Sequence, residues 1–535
     1  MKNKTGKQKL HDILGIGCGV FLAVVLVVNL ILGGMASSAG AKAGDIPSNA
    51  VTLTGSAPGR NGDVAVEVVA TADTIYQVKI VDQKETDGIG SLAVDQLPGA
   101  IYEAQSLSVD GISGATITSD AIKAAVANAL TSGGLDASAF GGASAVAGSG
   151  VAVNVAKKVE TGSAVTVLHA SDWEAQYPEI VESWRMTSES SEAEDYLEIY
   201  PMLRTLYEPY GFAKDYKAAR GHYYDVDDIA ATGRPHPLAN CWTCKTPDFT
   251  AMVNEMGDAA YQLSWEEVKG QINEGISCYT CHANTPGEIT ITHTYWIDAV
   301  GEDFDKIAPA NLACGQCHNE YYFDPITKAT TIAHNSLESM APETMLAYFN
   351  DPSNFGNNEI FTDYTNPRTG VQQIKVQHPE FETFLGVGSQ HAGDFTCADC
   401  HMPDGVKADG SSFRSHNLIS PLDNPELIAN NCSKCHTDLV AEVHAVQEKV
   451  EARTYSVGYE LEHLTELLAS AVESGNYTDE DLAPIRSLAR DAQFYWDFVF
   501  VENAEGAHNP TLTYDCLDKA EALANQAINQ LRALA

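Results

Sequence analysis

Five Cys-x-x-Cys motifs, each followed by a side chain that can bind a metal, constrain this chain more than any other feature. In four motifs histidine comes directly after the second cysteine, and in the first motif lysine takes that place. The motifs are Cys241-Trp242-Thr243-Cys244-Lys245, Cys278-x-x-Cys281-His282, Cys314-x-x-Cys317-His318, Cys397-x-x-Cys400-His401 and Cys432-x-x-Cys435-His436. At this spacing two thiols can form thioethers with a haem while the next side chain binds its iron.

Two other uses of such cysteines must be weighed. Paired Cys-x-x-Cys motifs can hold zinc, and a single motif can be a redox dithiol. Neither explains a histidine directly after the second cysteine in four motifs. The pattern therefore predicts five c-type haems, four of them similar electron carriers. The lysine-bearing motif differs, so we expect the chemistry at its haem. The remaining cysteines, Cys18 and Cys516, are expected to be inert packing residues.

The first 36 residues predict a membrane anchor. Four lysines among the first nine residues precede an almost wholly apolar, uncharged run over residues 13–35. Such a run is long enough to span a bilayer, and the basic lead keeps the N-terminus in the cytoplasm. A cleaved signal peptide with a cut near Ala39-Gly40-Ala41 is the alternative, but the run is longer than signal peptides usually have. We expect an uncleaved anchor in the cytoplasmic membrane, with the catalytic domain on the extracytoplasmic side.

The charge balance is strongly acidic. Acidic residues outnumber basic ones by 72 to 32, which gives a formal net charge of -40. Such a surface favours solubility and argues against nucleic acid as a partner. An anionic substrate would need a locally positive entrance.

A short α+β domain is predicted over residues 50–133. Residues 64–69 and 76–81 are rich in Val and Ile and predict strands, and an amphipathic helix is predicted from about Asp120 to Leu130. Between them lie a Glu85–Gly90 turn and the segment Asp110–Ser119. Gly114 would let a phosphate approach the helix N-terminus, or the segment is a small-residue turn capped by Ser119. Spacing alone leaves both readings open.

These segments resemble the covalent FMN-binding domain of ion-pumping quinone reductase subunits. Asp110 to Thr116 matches the family's Asp-x-x-Ser/Thr-Gly-Ala-Thr motif, and Glu85 to Gly90 matches its glycine turn, with Asp87 where proline is usual. The resemblance implies FMN joined through its phosphate to Thr116. The implied FMN-binding residues are Thr116, Ser113, Gly114, Ala115, Glu85 and Thr86. Residues 134–166, rich in Gly, Ala, Ser and Val, predict a flexible linker.

The haem region, residues 167–535, resembles the ammonia-forming cytochrome c nitrite reductases, which carry five c-type haems. The resemblance rests on Cys241–Lys245 and on three longer segments, Tyr210–His222, Cys314–Tyr321 and Lys375–Glu380. Helical spacing of Val and Leu between Val443 and Leu468 predicts a helix, and further helices are predicted at about Pro484–Glu502 and Asp515–Leu534. The predicted fold is a mainly α multihaem cytochrome c domain with long C-terminal helices, preceded by a small α+β FMN-binding domain and a transmembrane helix.

The resemblance also implies a role for each site residue. Lys245 would bind the catalytic iron and leave its far side open. The other four irons would be closed by histidine pairs, namely His282 with His416, His318 with His222, His401 with His508 and His436 with His391. Tyr321 and His378 would be catalytic. Calcium would be bound by the Glu320 carboxylate, the Tyr321 and Lys375 carbonyls and the Gln377 side chain, a set of oxygen ligands that suits this ion.

One departure from the family's pattern concerns an arginine. The family places it before a Thr-Gly pair, whereas here Ala231 precedes Thr232-Gly233. Arg234 follows the pair and is the candidate replacement.

The implied function is the six-electron reduction of nitrite to ammonium, with electrons relayed from FMN through the bis-histidine haems. A membrane quinol or flavin-linked donor and a homodimer are the expected partners. The alternatives are a non-catalytic electron conduit, or a related reductase for sulfite or hydroxylamine.

Overall fold

The computed structural model divides the chain into two compact units, residues 1–154 and 155–535. The structure describes residues 38–40, 46–47, 49–60, 62–85, 90–107, 109, 111–112, 115–133, 135, 137–140, 155–235, 237–392, 394–407 and 410–534. The predicted membrane anchor and the candidate residues Thr86, Ser113 and Gly114 lie outside these ranges. Within the described residues, no helix is both long and apolar enough to cross a bilayer.

The N-terminal unit is a four-stranded antiparallel sheet with helices packed on it. The strands are β1 (Ser38–Gly40), β2 (Val51–Pro58), β3 (Asp63–Ala70) and β4 (Ile75–Asp82), in the order β1-β4-β3-β2. Helices α1 (Gly90–Ala104) and α2 (Thr116–Ser132) complete it. Val64, Val66 and Val68 alternate into a core shared with both helices, as the two-residue period of a strand requires. A Cβ at Gly55 of β2 would overlap the α2 backbone, so glycine permits this close packing.

This unit confirms the small α+β fold, although its sequence signals were uneven. The predicted strands correspond to β3 and β4, and the predicted helix lies within α2. Three of its strands and α-helices were not predicted, namely β1, β2 and α1. Strand β2 contains Gly55 and ends at Pro58, and α1 contains Pro98 followed by Gly99, residues that ordinarily interrupt such elements.

Part of the predicted 134–166 linker lies outside the described residues, but residues at both of its ends make hydrogen bonds. Phe140 is buried in the N-terminal unit, where its carbonyl accepts a hydrogen bond from the Leu107 amide at 2.6 Å. Strand β5 (Lys157–Lys158) pairs in parallel with β6 (Thr290–Ile291) in the C-terminal unit. The Asn284 side chain also donates to the Thr166 carbonyl at 2.7 Å. The described residues near both ends of the predicted linker are therefore held by hydrogen bonds within their own units.

The C-terminal unit is mainly helical, as predicted. Its helices are α3 (Ala170–Trp173), α4 (Pro178–Arg185), α5 (Tyr196–Ile199), α6 (Leu203–Leu206), α7 (Asp225–Ala231), α8 (Pro247–Met256), α9 (Trp265–Lys269), α10 (Cys278–His282), α11 (Thr294–Val300), α12 (Pro309–Gly315), α13 (Pro342–Phe349), α14 (Glu380–Leu385), α15 (Cys397–His401), α16 (Pro425–Asn430), α17 (Leu439–Ser474), α18 (Asp479–Phe500) and α19 (Pro510–Leu534). Short antiparallel strand pairs interrupt them: β7 (Tyr321–Phe323) with β8 (Thr330–Ile332), β9 (Tyr364–Thr365) with β10 (Gln372–Gln373), and β11 (Asp404–Val406) with β12 (Ser412–Arg414).

The three C-terminal helices pack together around the largest apolar core. Leu461 and Leu464 of α17, Ile485 of α18 and Leu517 of α19 belong to this core. Helix α17 ends at Gly475, whose φ of 64° suits glycine. Cys516 is fully buried in α19, as expected of a packing residue. The long helices thus share one apolar core with earlier segments of this unit, which contribute residues such as Tyr207 and Tyr364.

Candidate functional site

Short helical turns present the cysteine motifs. The second and fourth motifs coincide with the one-turn helices α10 and α15, and the third begins at the end of α12. A 3-10 turn at Ala239–Trp242 opens the first motif, and another at Cys432–Lys434 opens the fifth. The ten motif cysteines, all within the described residues, are free thiols. One helical turn brings both thiols and the following side chain close together, as haem attachment requires.

The predicted histidine partners lie in pairs. Ring centres are 6.1 Å apart for His222 and His318, 6.2 Å for His282 and His416, 6.1 Å for His401 and His508, and 6.0 Å for His391 and His436. An iron bonded to both nitrogens at about 2 Å would hold the ring centres roughly 6 Å apart. The four pairs therefore fit bis-histidine haems. The two histidines of each pair lie far apart in the sequence.

The thiols of different motifs also lie next to one another. Cys244 lies within electrostatic range of Cys317, Cys314 within range of Cys397, Cys281 within range of Cys314 and Cys317, and Cys400 within range of Cys432. The third motif thus neighbours the first, second and fourth, and the fourth neighbours the fifth. This order offers a continuous route for electrons that reaches the lysine-bearing motif through the third.

A buried network ties the first three motifs together. The His293 ring lies between the Thr243 carbonyl oxygen and the Gln316 side-chain oxygen, at 3.0 Å from each. The Gln316 side-chain nitrogen donates to the Thr280 carbonyl at 2.9 Å. Thr243, Thr280 and Gln316 are each the second variable residue of their motif. His293 and Gln316 thus fix three attachment segments relative to each other.

Lys245 is paired with a carboxylate. Its Nζ donates to Asp225 Oδ1 at 3.2 Å, and Asp225, the first residue of α7, is 8% exposed. Burial alone would lower the pKa of Lys245, but the charge of Asp225 raises it. Trp242 of the same motif stacks on Trp265 with ring centres 3.9 Å apart. The lysine-bearing motif is therefore anchored by an aromatic stack and has an acidic neighbour.

The predicted catalytic residues lie close to the lysine-bearing motif. Burial raises the pKa of Tyr321 well above its ordinary value, and the neighbouring Cys244 and Cys241 add to the shift, so the hydroxyl keeps its proton. Burial lowers the pKa of His378, which is within electrostatic range of Lys245. The His378 ring centre is 6.3 Å from that of His318. A phenol and an imidazole thus lie near the first motif, and both can hold a proton for transfer.

Glu380, which the sequence analysis did not assign, connects two of these groups. Its carboxylate is 3.7 Å from His318 Nδ1 and 3.9 Å from His378 Nδ1. Burial alone would raise the pKa of Glu380, but the two imidazoles hold it well below its ordinary value. Its position two residues after His378 was the only sequence signal available. Glu380 therefore places a buried negative charge between a predicted haem ligand and a predicted catalytic histidine.

Arg234 is half-buried on the lead-in segment to the first motif. Its guanidinium carbon lies 4.1 Å from the Phe212 ring centre, and its Nε donates to Thr232 Oγ1 at 3.1 Å. Burial raises the pKa of Cys241, and the charge of Arg234 partly offsets this rise. Arg220, the other nearby arginine, is held by Asp228 and stacks on Tyr224. Arg234 is thus bound to a hydroxyl and an aromatic face, whereas the charge of Arg220 is offset by a carboxylate.

Gln377 contacts two other predicted calcium ligands, Glu320 and Lys375. Glu320 is fully buried, and its Oε2 accepts a hydrogen bond from the backbone amide of Gln377 at 2.6 Å. Its Oε1 has no hydrogen-bond partner among the described residues. Burial raises the pKa of Glu320 well above its ordinary value. The Gln377 side-chain nitrogen Nε2 donates to the Lys375 carbonyl at 2.9 Å. Rotating this side-chain amide would bring its oxygen next to that carbonyl oxygen. An unpartnered buried carboxylate oxygen beside a carbonyl and an amide fits a hard cation.

The N-terminal unit brings two halves of the predicted flavin site together. Thr118 of α2 hydrogen bonds through its hydroxyl to the buried Glu85 carboxylate, joining the glycine turn to the helix N-terminus. The Ile112 amide donates to Ser119 Oγ at 2.9 Å, but Ser119 lies inside α2, whose N-cap is Ala115 without a side-chain hydrogen bond, so the predicted cap by Ser119 is wrong. Ala115 is buried, and Thr116 is the first residue of α2. The segment therefore leads into a helix N-terminus without a side-chain cap, at which a phosphate would be electrostatically favoured.

Comparison with known proteins identifies both units. The sequence profile of the FMN-binding domain matches residues 59–131, and that of the cytochrome c552 family matches residues 169–535. A solved structure with a similar fold is the cytochrome c nitrite reductase catalytic subunit from Desulfovibrio desulfuricans, described for its two calcium sites. It is 28% identical, with a TM-score of 0.60 over 68% of this chain and 86% of that one.

Two further solved structures show weaker similarity. They are the outer cell wall cytochrome OcwA, at 19% identity and a TM-score of 0.31, and an undecahaem cytochrome from the S-layer of Carboxydothermus ferrireducens, at 19% identity and a TM-score of 0.30. The matches cover 57% and 58% of this chain and 48% and 41% of the other chains, respectively.

The family profile covers more than half of the chain, and the predicted union of a nitrite-reductase-like haem region with a flavin domain is confirmed. The chain belongs to the cytochrome c552 family and carries an FMN-binding domain ahead of its haem region.

Proposed function

We propose that this protein reduces nitrite to ammonium at the haem of the Lys245 motif. The reaction consumes six electrons and eight protons and releases two waters. The observation that carries the proposal is the contrast between this motif and the other four, which each have an imidazole pair, whereas Lys245 faces a carboxylate. The similarity to the Desulfovibrio desulfuricans nitrite reductase supports it.

Five haems would be held by the ten motif cysteines. Lys245 and the four histidine pairs, His282 with His416, His318 with His222, His401 with His508 and His436 with His391, would bind their irons. When bound, the haems supply stored electrons and one iron with a free coordination position. Several electron stores next to one another would limit the release of partly reduced nitrogen compounds. The contiguous thiols of the first, third, fourth and second motifs support such a relay.

His378 and Tyr321 would move protons to the nitrite oxygens as they leave as water. A phenol that keeps its proton and an imidazole beside the first motif are suited to general acid catalysis. Glu380 would orient His378 through the contact at its Nδ1. A carboxylate beside an imidazole favours its protonated form. The contact with Glu380 therefore favours the form of His378 that can donate a proton.

Arg234 would supply the positive charge that an anionic substrate needs. The protein carries a formal net charge of -40, so a local cation must offset its field. Among the described residues Arg234 makes no salt bridge, although Asp215 lies within electrostatic range of its charge. Arg234 would also donate hydrogen bonds to oxygens that gain charge during reduction.

Calcium would be held by Glu320, the Tyr321 and Lys375 carbonyls and Gln377. It would fix Tyr321 and His378 in place, since Gln377 is the residue before His378. Chelation should lower nitrite turnover, and added calcium should restore it. A Glu320→Gln variant should respond to neither treatment. If the wild-type protein keeps full turnover after its calcium has been removed, this assignment fails.

Steady-state assays with a reduced viologen test the substrate. Nitrite, hydroxylamine and sulfite should be compared, with ammonium measured as the product. We expect nitrite to give the highest kcat/KM and ammonium in equal amount to the nitrite consumed. A fully haem-loaded protein that binds neither nitrite nor nitric oxide would instead be an electron conduit. A higher kcat/KM with sulfite or hydroxylamine would reassign the substrate.

Electrons would reach the haems from FMN attached to Thr116, supplied by a membrane quinol or flavin-linked donor. Residues 1–36 would anchor the protein, as a homodimer, on the extracytoplasmic side of the cytoplasmic membrane. Thr116→Ala should abolish flavin incorporation but leave haem content and viologen-driven nitrite reduction intact. Thr131→Ala, at the exposed end of the same helix, is the control. Flavin content that is unchanged in Thr116→Ala would refute the attachment.

A further inference from the structure

A buried carboxylate lies against the side chain of Lys245. Asp225 is 8% exposed, and its Oδ1 accepts a hydrogen bond from Lys245 Nζ at 3.2 Å. Its Oδ2 is buried and has no hydrogen-bond partner among the described residues. Burying a carboxylate is costly unless a positive charge or hydrogen-bond donors compensate it. Lys245 is therefore the group on which the stability of this buried charge depends.

Binding to iron changes what Lys245 can offer this carboxylate. The side chain must bind a metal as a neutral amine, so the ammonium charge that Asp225 faces is replaced by the charge of the metal centre. The amine keeps N–H groups that can still donate to Asp225 Oδ1. A carboxylate that accepts from a metal-bound side chain orients that ligand and raises its basicity. The contact therefore suits a ligated lysine as well as a free one.

The chain holds Asp225 firmly in this position. It begins α7, three residues after His222, whose ring pairs with that of His318. A Cβ at Gly275 would lie 2.8 Å from the His222 carbonyl oxygen and 3.7 Å from the Asp225 side chain, so this segment is tightly packed. One short segment thus carries both the predicted ligand of the third haem and the carboxylate that contacts the predicted ligand of the first.

We propose that Asp225 is a positioning residue that orients the Lys245 amine on the catalytic iron and increases its donor strength. A stronger donor and a nearby negative charge both favour ferric iron, so Asp225 lowers the reduction potential of this haem. The inference rests on the proposed ligation by Lys245. It extends that proposal, because it assigns the tuning of the catalytic haem to a residue outside the attachment motif.

Asp225→Asn tests this role in the haem-loaded protein. Redox titration followed by electron paramagnetic resonance can separate the lysine-bound haem from the four bis-histidine haems. We expect the potential of the lysine-bound haem to rise and its resonance to shift, with smaller changes at the other haems. Asp227→Asn, an equal charge change at an exposed position of α7, should leave both unchanged. Haem content must equal that of the wild type.

Several results would overturn the inference. One is an Asp225→Asn variant that loads all haems and keeps the wild-type potential and resonance, and another is an equal shift of every haem, as a long-range charge effect would produce. If Asp225→Asn does not load haem, Asp225→Ser is measured in the same way, and an unchanged potential again overturns the inference. Lys245→His separates the two proposals. No spectral change in that variant refutes ligation by Lys245, whereas a change there with none in the Asp225 variants refutes only the role of Asp225.

Discussion

The lysine-bearing motif and the four histidine-bearing motifs share one spacing but have different surroundings. Each histidine faces a second imidazole with ring centres 6.0 to 6.2 Å apart. Lys245 faces Asp225, and the proton-bearing groups of Tyr321 and His378 lie nearby. The same local motif can therefore serve electron storage or substrate chemistry. Side chains from other parts of the chain decide between these uses.

The sharpest test of this comparison removes the proton donor beside the lysine-bearing motif. His378→Ala should lower nitrite turnover by roughly 10²- to 10⁴-fold, the usual contribution of a general acid. Haem content and the spectra of the four bis-histidine haems should not change. His444→Ala, at an exposed position of α17, should keep wild-type turnover. Equal rates for the two variants would remove His378 from the mechanism.

Arg234→Ala should have the next largest effect. Loss of a cationic donor to developing oxygen charge should reduce kcat/KM for nitrite by about 10²- to 10³-fold. Arg220→Ala is the matched control, because Asp228 already offsets the charge of Arg220. A loss of turnover in the Arg220 variant alone would exchange the roles of the two arginines. If both variants keep wild-type turnover, other substrates should be tested.

Lys245→His makes the first motif identical in type to the other four. If the cell attaches all five haems, nitrite turnover should fall by roughly 10- to 100-fold, as happens when a metal's immediate surroundings are altered. The physical reason is that an amine binds iron without the π-character of imidazole. The measurements are haem content by the pyridine haemochrome method and turnover per haem. Full activity in a fully loaded variant would show that lysine is replaceable.

His416→Ala alters a histidine-bearing motif instead, because it removes one member of a histidine pair. The haem of the second motif should then bind carbon monoxide when reduced, which adds one binding site per protein. Nitrite turnover should change least among these variants, since no proton donor was predicted at this haem. His463→Ala, at an exposed position of α17, is the control. No added carbon monoxide binding would show that His416 does not close that iron.

Much of the fold was predictable because its signals are local. The three C-terminal helices were predicted, α17 from the helical spacing of its Val and Leu residues, and the strands β3 and β4 were predicted from their content of Val and Ile; the structure contains all five. Their ends were less well predicted. Helix α18 begins at Asp479 rather than near Pro484, because Thr478 and Asp481 form a capping box that precedes the proline. Helix α19 begins at Pro510, a residue type that favours the first turn.

The sequence by itself determined the number of attachment motifs, the odd lysine among them and the family to which the chain belongs. Each of these depends on residues that are close in sequence. Tertiary structure alone decided that Asp225 contacts Lys245, that Glu380 lies between His318 and His378, and that His293 joins three motifs. Hydrogen bonds and charges act over a few ångströms in space, so a sequence pattern does not reveal them until the chain has folded.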